Sequence, residues 1–233
     1  MSKSTVVPRW ARQLVASQHV NPNGVSGFAQ ERIEIVGDIT PLFLFRVGAY
    51  GSAQSDLMKG LAENLEAQFV SGAAIKARTM RRTAEYTQRR TSMVRGEFTR
   101  TVMDTLNAGH DTVGDLAFNT RSTRGALLHD IDQNGLEPLV IAVNTVASRG
   151  IVKERVERMI AEGTVEGIRV DAYERSPLEI ALENLKQLEV GGGLTYAVPT
   201  EEMIDYVVEV DGTKPTIFAI NDALSQLPAD IVA

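Results

Sequence analysis

Cysteine is absent from the 233 residues. That removes disulfides, thiolate metal ligands and a thiol nucleophile, and it suits a reducing, cytoplasmic setting. Long apolar runs are absent too. The longest apolar cluster, Ile39 to Val47, is broken by Pro41 and Arg46, far short of the ~20 apolar residues that cross a bilayer. No membrane partner is expected. The first residues, Met1 to Leu14, are polar and interrupted by Pro8, without the apolar core of a signal peptide. Aromatic residues are scarce at 6%, with Trp10 the single tryptophan.

Motifs that carry chemistry are also missing. There is no His-Glu-x-x-His, no Gly-x-Ser-x-Gly elbow and no P-loop. Gly191-Gly192-Gly193 follows a predicted helix and not a strand, so it reads as a flexible turn. The histidines, His19, His110 and His129, are scattered. His110-Asp111 and His129-Asp130 are chain neighbours, and neighbours on a helix or strand do not face each other. Asp130-Ile131-Asp132-Gln133-Asn134-Gly135 resembles the first half of a calcium loop, but Ile141 stands where the bidentate Glu belongs. An Asx-stabilised turn is the simpler reading. No catalytic residue, metal site or cofactor is expected.

Composition is that of a globular chain, 43% hydrophobic and 23% charged, large enough for one domain or two small ones. The net charge of −6 hides a gradient. Residues 1–125 hold 16 Lys and Arg against 11 Asp and Glu, and residues 126–233 hold 8 against 19. Such polarity favours an anionic partner for the first half, or packing of basic end on acidic end between copies.

Between Ser52 and Gly109 there is no proline, and apolar residues recur three or four apart from Leu57 to Leu106. That period predicts helix. Within it, eight cations (Lys76, Arg78, Arg81, Arg82, Arg89, Arg90, Arg95 and Arg100) face only Glu85 and Glu97. They form the candidate anion- or partner-binding cluster. Gly72 and Gly96 each cost about 1 kcal/mol inside a helix. Threonines at 79, 83, 87 and 91 also fit one face of a strand. Two helices flanking a basic hairpin or loop near 76–95 is therefore the alternative to one long helix.

Three regions follow from this reading, in an α+β fold. Residues 1–50 form an extended arm and short strands, with Val6, Val7, Trp10 and Leu14 as anchors for a neighbouring copy. Residues 51–135 form a basic helical spine. Residues 136–233 form a small acidic α/β domain. It has a buried strand at Leu139–Val143, a helix capped by Ser176, and strands at Val207–Val210 and Thr216–Ile220 joined through Asp211-Gly212.

The expected function is a structural subunit of a homo-oligomer, a ring, tube or shell component of a phage-like virion such as a head–tail adaptor or tail protein. Its partners would be copies of itself and other virion proteins, and its location the cytoplasm or the virion. The alternative is nucleic-acid binding through residues 76–100. The third reading is an enzyme of the α/β domain.

Overall fold

The hexapeptide Leu42–Val47 is buried along its whole length. A strand tolerates that only between two other strands, with helices over both faces. The computed structural model describes residues 40–48, 54–80, 88–166, 168–188 and 203–232, and it places this strand, β1, at the centre of a sheet. In chain order come β1 (Leu42–Val47), α1 (Gln54–Asn64), β2 (Gln68–Ser71), α2 (Gly72–Met80), α3 (Gln88–Asn107) and β3 (Thr112–Ala117). There follow α4 (Arg121–Gln133), β4 (Leu139–Val146), α5 (Arg149–Ala161), and the short strands β5 (Thr164–Val165) and β6 (Ile168–Arg169). A 3₁₀ turn (Val170–Ala172), α6 (Pro177–Leu188), β7 (Tyr206–Asp211), α7 (Thr216–Gln226) and α8 (Ala229–Val232) complete the described chain.

Five strands lie in the order β2-β3-β1-β4-β7, every pair parallel. Strand alternation splits the core in two. Phe43, Phe45 and Val47 face a layer with Phe98, Val102, Phe118 and Leu185. Leu42 and Leu44 face the other layer, with Leu57, Leu61 and Leu65 of α1 and Ala219, Ile220 and Ala223 of α7. Phe45 and Phe118 meet edge to face at 6.2 Å. β5 and β6 form a separate antiparallel hairpin.

The mixed helix and strand content agrees with the expected class, but the long basic spine does not exist as such. Residues 51–135 supply β2 and β3 to the same sheet that β4 and β7 complete. The apolar stripe that read as one spine divides: Leu57, Leu61 and Leu65 go to one face of the sheet, Phe98, Val102 and Leu106 to the other. Gly72, which looked like a helix defect, opens α2 where the chain must pass close to β3. A Cβ there would lie 2.2 Å from the carbonyl oxygen of Asp115, so only glycine fits without backbone movement.

Two further readings change. Thr216–Ile220 is the start of α7 and not a strand. Asp211 Oδ1 accepts from the backbone N and the hydroxyl of Thr213, at 2.9 and 2.6 Å, so Asp211-Gly212 closes an Asx turn and not a hairpin. The stretch 130–135 is the end of α4: Gly135, at φ +71°, donates to Asp132 O, and Leu136 to Ile131 O. That is a helix stop of the Schellman kind, with Asp130 and Asp132 exposed rather than converging. The arm with Val6, Val7, Trp10 and Leu14, and the glycines 191–193, lie outside the described residues.

Candidate functional site

In a parallel sheet the ligand crevice opens beyond the carboxyl ends of the strands, where neighbouring connections diverge. Here that point is the end of β1. The chain leaves β1 for α1 and β2 on one side, and enters β4 on the other. Gly48 closes β1 at φ +144° and donates its N–H to Asn119 Oδ1 at 3.0 Å. A break in register between Phe45 and Arg46 sets Arg46 opposite Ala117.

Four buried charges converge there. Arg46 Nε lies 3.1 Å from Asp115 Oδ1, at the end of β3. Arg46 Nη2 donates to Glu166 Oε1 at 2.9 Å. Lys76 Nζ, from α2, donates to Glu166 Oε2. The Ser55 hydroxyl, in the first turn of α1, hydrogen-bonds the Asp115 carboxylate. The Arg46–Asp115 contact is an ion pair and not a hydrogen bond, since neither Nε nor Oδ1 has a hydrogen-bond partner. Glu166 sits at the turn of the β5–β6 hairpin with φ +47°, a backbone region that non-glycine residues enter at a cost and that clusters at functional sites.

The two carboxylates feel this environment differently. Burial pushes Glu166 up, but Lys76 and Arg46 outweigh it and hold its pKa at about 2. Burial dominates at Asp115 and raises its pKa, despite Arg46. Both effects follow from desolvation set against nearby opposite charge.

A second polar set flanks the first. Asn144 pairs in register with Val47 across β1 and β4. Its side chain is fully buried, and neither Nδ2 nor Oδ1 has a hydrogen-bond partner. The next residue, Thr145, is buried with an unpartnered hydroxyl. Buried polar groups are nearly always bonded; as neighbours on β4 the two side chains point to opposite faces of the sheet, Asn144 to the face of Val47. A cavity of about 50 Å³ opens beside the charges, with Lys76, Thr91, Arg95 and Glu166 among its walls. It has room for an ion-sized group.

The described members of the expected arginine cluster have different surroundings. Lys76 is buried on Glu166, Arg95 lines the cavity, and Arg78 and Arg100 both pair with Glu97. Arg90 Nη1 leans on Met93 Sδ at 3.8 Å. Arg81 and Arg82, and the side chain of Arg89, lie outside the described residues. Sequence reasoning missed Arg46, Asp115, Asn144 and Glu166. A cation inside an otherwise apolar strand was the available signal for Arg46.

No family model and no curated protein matches the sequence. Solved structures do share the fold. A Chloroflexus aurantiacus protein named as a kinase superposes with a TM-score of 0.62 at 16% identity, over 81% of this chain and 100% of its own. A sugar kinase from a Janibacter species gives 0.56 at 18% identity, over 83% and 98%. A gluconokinase from Sinorhizobium meliloti gives 0.51 at 19% identity, over 80% and 91%. These likenesses show that the parallel α/β fold of this chain is one that these structures share. They overturn the expectation of a ring, tube or shell subunit of a virion: the structures that share the fold are named as kinases, and the apolar stripe from Leu57 to Leu106 is taken up by the core on the two faces of the sheet. The virion location goes with it. Among the described residues no helix is long and apolar enough to cross a membrane.

The fold also exposes a signal in the sequence that pattern matching passed over. Gly48-Ala49-Tyr50-Gly51-Ser52-Ala53-Gln54-Ser55 has the spacing of the phosphate loop G-x-x-x-x-G-K-[ST]. Gly48 and Ser55 match, between a strand and a helix, as the pattern requires. Ala53 and Gln54 stand where the second glycine and the lysine belong, which is why the motif was not seen. Residues 49–53 lie outside the described residues.

Proposed function

We propose that this chain binds a nucleoside triphosphate at the carboxyl edge of its sheet, where β1 runs into α1. The observation that carries the reading is the buried Arg46–Asp115 pair at the end of β1, with the Ser55 hydroxyl of the first turn of α1 on the Asp115 carboxylate. The fold shared with structures named as kinases supports it, and so does the spacing of Gly48 and Ser55 at the strand–helix junction. The polyphosphate fits the strand–helix junction, whose sequence keeps Gly48 and Ser55 of the phosphate-loop spacing.

Titration calorimetry with ATP, GTP and inorganic tripolyphosphate tests the reading. Saturable binding is expected, with dissociation constants in the range of enzyme KM values, roughly 1 μM to 1 mM. No heat at millimolar nucleotide would reject it. A second reading, phosphoryl transfer, is favoured by the Ser55 hydroxyl on Asp115. Loss of the γ-phosphate from labelled ATP, with and without added hydroxyl acceptors, tests that reading separately.

A further inference from the structure

Independently of the nucleotide reading, we propose that the cavity between α3 and the β5–β6 hairpin binds the carboxylate or phosphate group of a small molecule other than the nucleotide, held by the guanidinium of Arg95. Four elements build this cavity. α3 supplies Thr91, Val94 and Arg95, α2 supplies Lys76, the end of β3 supplies Leu116, and the hairpin turn supplies Glu166. All of them are described residues. Thr91 and Arg95 stand one turn apart and so share a face of α3. Both are half-buried, at the border between core and solvent.

Arg95 differs from the cations around it. Lys76 donates to Glu166, and Arg78 and Arg100 pair with Glu97. Arg95 has no hydrogen bond or ion pair among the described residues. A guanidinium carries its N–H donors in a rigid plane and cannot lose its charge. Half-buried beside a cavity of about 50 Å³, it is a fork of donors without acceptors. Glu166 does not serve as the acceptor, because its two oxygens face Arg46 and Lys76. A carboxylate or phosphate group meets the fork with two oxygens at once. The volume, a few times that needed by one water, admits such a group and little else, and Val94 and Leu116 give it an apolar wall. The place of the cavity separates it from the strand–helix junction. Val94 and Leu116 belong to the core layer of Phe43 and Phe98. Ser55 lies in the first turn of α1, whose Leu57 and Leu61 belong to the layer on the other face of the sheet.

Titration of the full chain with inorganic phosphate and with acetate, followed by amide NMR shifts at an ionic strength held constant with sodium chloride, tests the proposal. Saturable shifts in the millimolar range are expected, and the tighter of the two anions names the group. No saturation by either anion overturns the proposal. Arg95→Gln, checked for folding by thermal unfolding, is expected to bind about tenfold or more weakly, since a hydrogen-bonded charge pair is lost. Arg100→Gln, on the same helix but paired with Glu97, is expected to bind as the parent does. A folded Arg95→Gln protein with the parent's affinity overturns the proposal. Arg95→Lys keeps the charge without the fork and should recover only part of the affinity; should Arg95→Gln fail to fold, a lysine variant that binds as tightly as the parent overturns the role of the fork. The same titration in saturating ATP should give an unchanged affinity, and loss of the anion there would merge the two sites and overturn the separate occupant. If the chain binds no ATP, the nucleotide reading fails alone, and the phosphate and acetate titrations still decide this proposal.

Discussion

Replacing Asn144 by leucine exchanges a buried amide for an apolar side chain of the same branching and number of heavy atoms. Asn144 is fully buried, in register with Val47 on one side and Glu209 on the other, with both amide atoms unpartnered. An unsatisfied buried polar group costs about 1–3 kcal/mol. Repacking a side chain of changed shape costs less than about 1.5 kcal/mol. The net expectation for the unliganded protein is a gain of roughly 1–2 kcal/mol. For a chain of 233 residues that corresponds to a rise in Tm of about 2–8 °C. Urea unfolding followed by circular dichroism measures the free energy, and calorimetric titration with ATP measures the function. The variant should be more stable and bind at least tenfold more weakly. Destabilisation by more than 1 kcal/mol would mean that the amide has a partner in the folded protein, and the reasoning fails. A stabilised variant that binds normally would separate the orphaned amide from the ligand.

Other expectations follow from the same packing. Glu166 has its pKa lowered from 4.5 to about 2, so its ionised form contributes on the order of 3 kcal/mol. A lowered carboxyl contributes fully above its unfolded value and loses the contribution as pH falls towards 2. The stability gap between the parent and Glu166→Gln, from urea unfolding at pH 7, 5 and 4, should therefore be constant above about pH 5.5. Below about pH 4.5 it should shrink by roughly 1.4 kcal/mol per pH unit; a gap independent of pH would refute the ion-pair account. Asp115, raised by burial and in part by Glu166, works in the opposite direction, its contribution falling as pH rises, and its shift is smaller in the variant. Gly72→Ala should destabilise by about 1–3 kcal/mol, since the new methyl meets the Asp115 carbonyl, and unchanged thermal unfolding would show that α2 can shift. Leu185→Ala empties a fully buried position on α6 and should lower stability by about 2–5 kcal/mol in chemical denaturation.

What could be read in the sequence, and what could not, follows from how each element meets its neighbours. β1 and β4 were legible because central parallel strands need unbroken apolar runs. α6 was legible through Ser176-Pro177 and its leucine stripe, although Leu182 is only half-buried and the side chain of Leu188 lies outside the described residues. β2 was hidden because Phe69 continues the three-or-four spacing of α1, so four residues of strand kept step with a helix. β3 is half polar in sequence, Thr-Val-Gly-Asp-Leu-Ala. Its Thr112 and Asp115 are nonetheless buried, and Gly114 makes room for the ring of Phe98, which a Cβ would approach to 2.6 Å. The strand is apolar in its surroundings and not in its composition. α7 read as a strand because Thr216, Ile217, Phe218 and Ile220 favour strands. The helix wins by burying Ala219, Ile220 and Ala223 against α1, leaving Ile217 and Phe218 about 60% exposed. The candidate site was least legible, since its charges come from β1, α2, β3 and the β5–β6 hairpin.

The central position of β1 also sets the order in which the chain can fold. Its partners are β3, which begins at Thr112, and β4, which begins at Leu139; among the described residues β2, the strand that follows β1, pairs with β3 alone. During synthesis Leu42-Phe43-Leu44-Phe45 therefore leaves the ribosome long before either strand that will cover its edges exists. Closing such separations carries a loop entropy that grows with their length, and parallel sheets of this kind fold slowly. The most apolar strand of the molecule spends the longest time with both edges open, a state prone to association between nascent chains. Productive folding begins only when β3 and β4 have both emerged, and chains truncated before Leu139 should accumulate as aggregates.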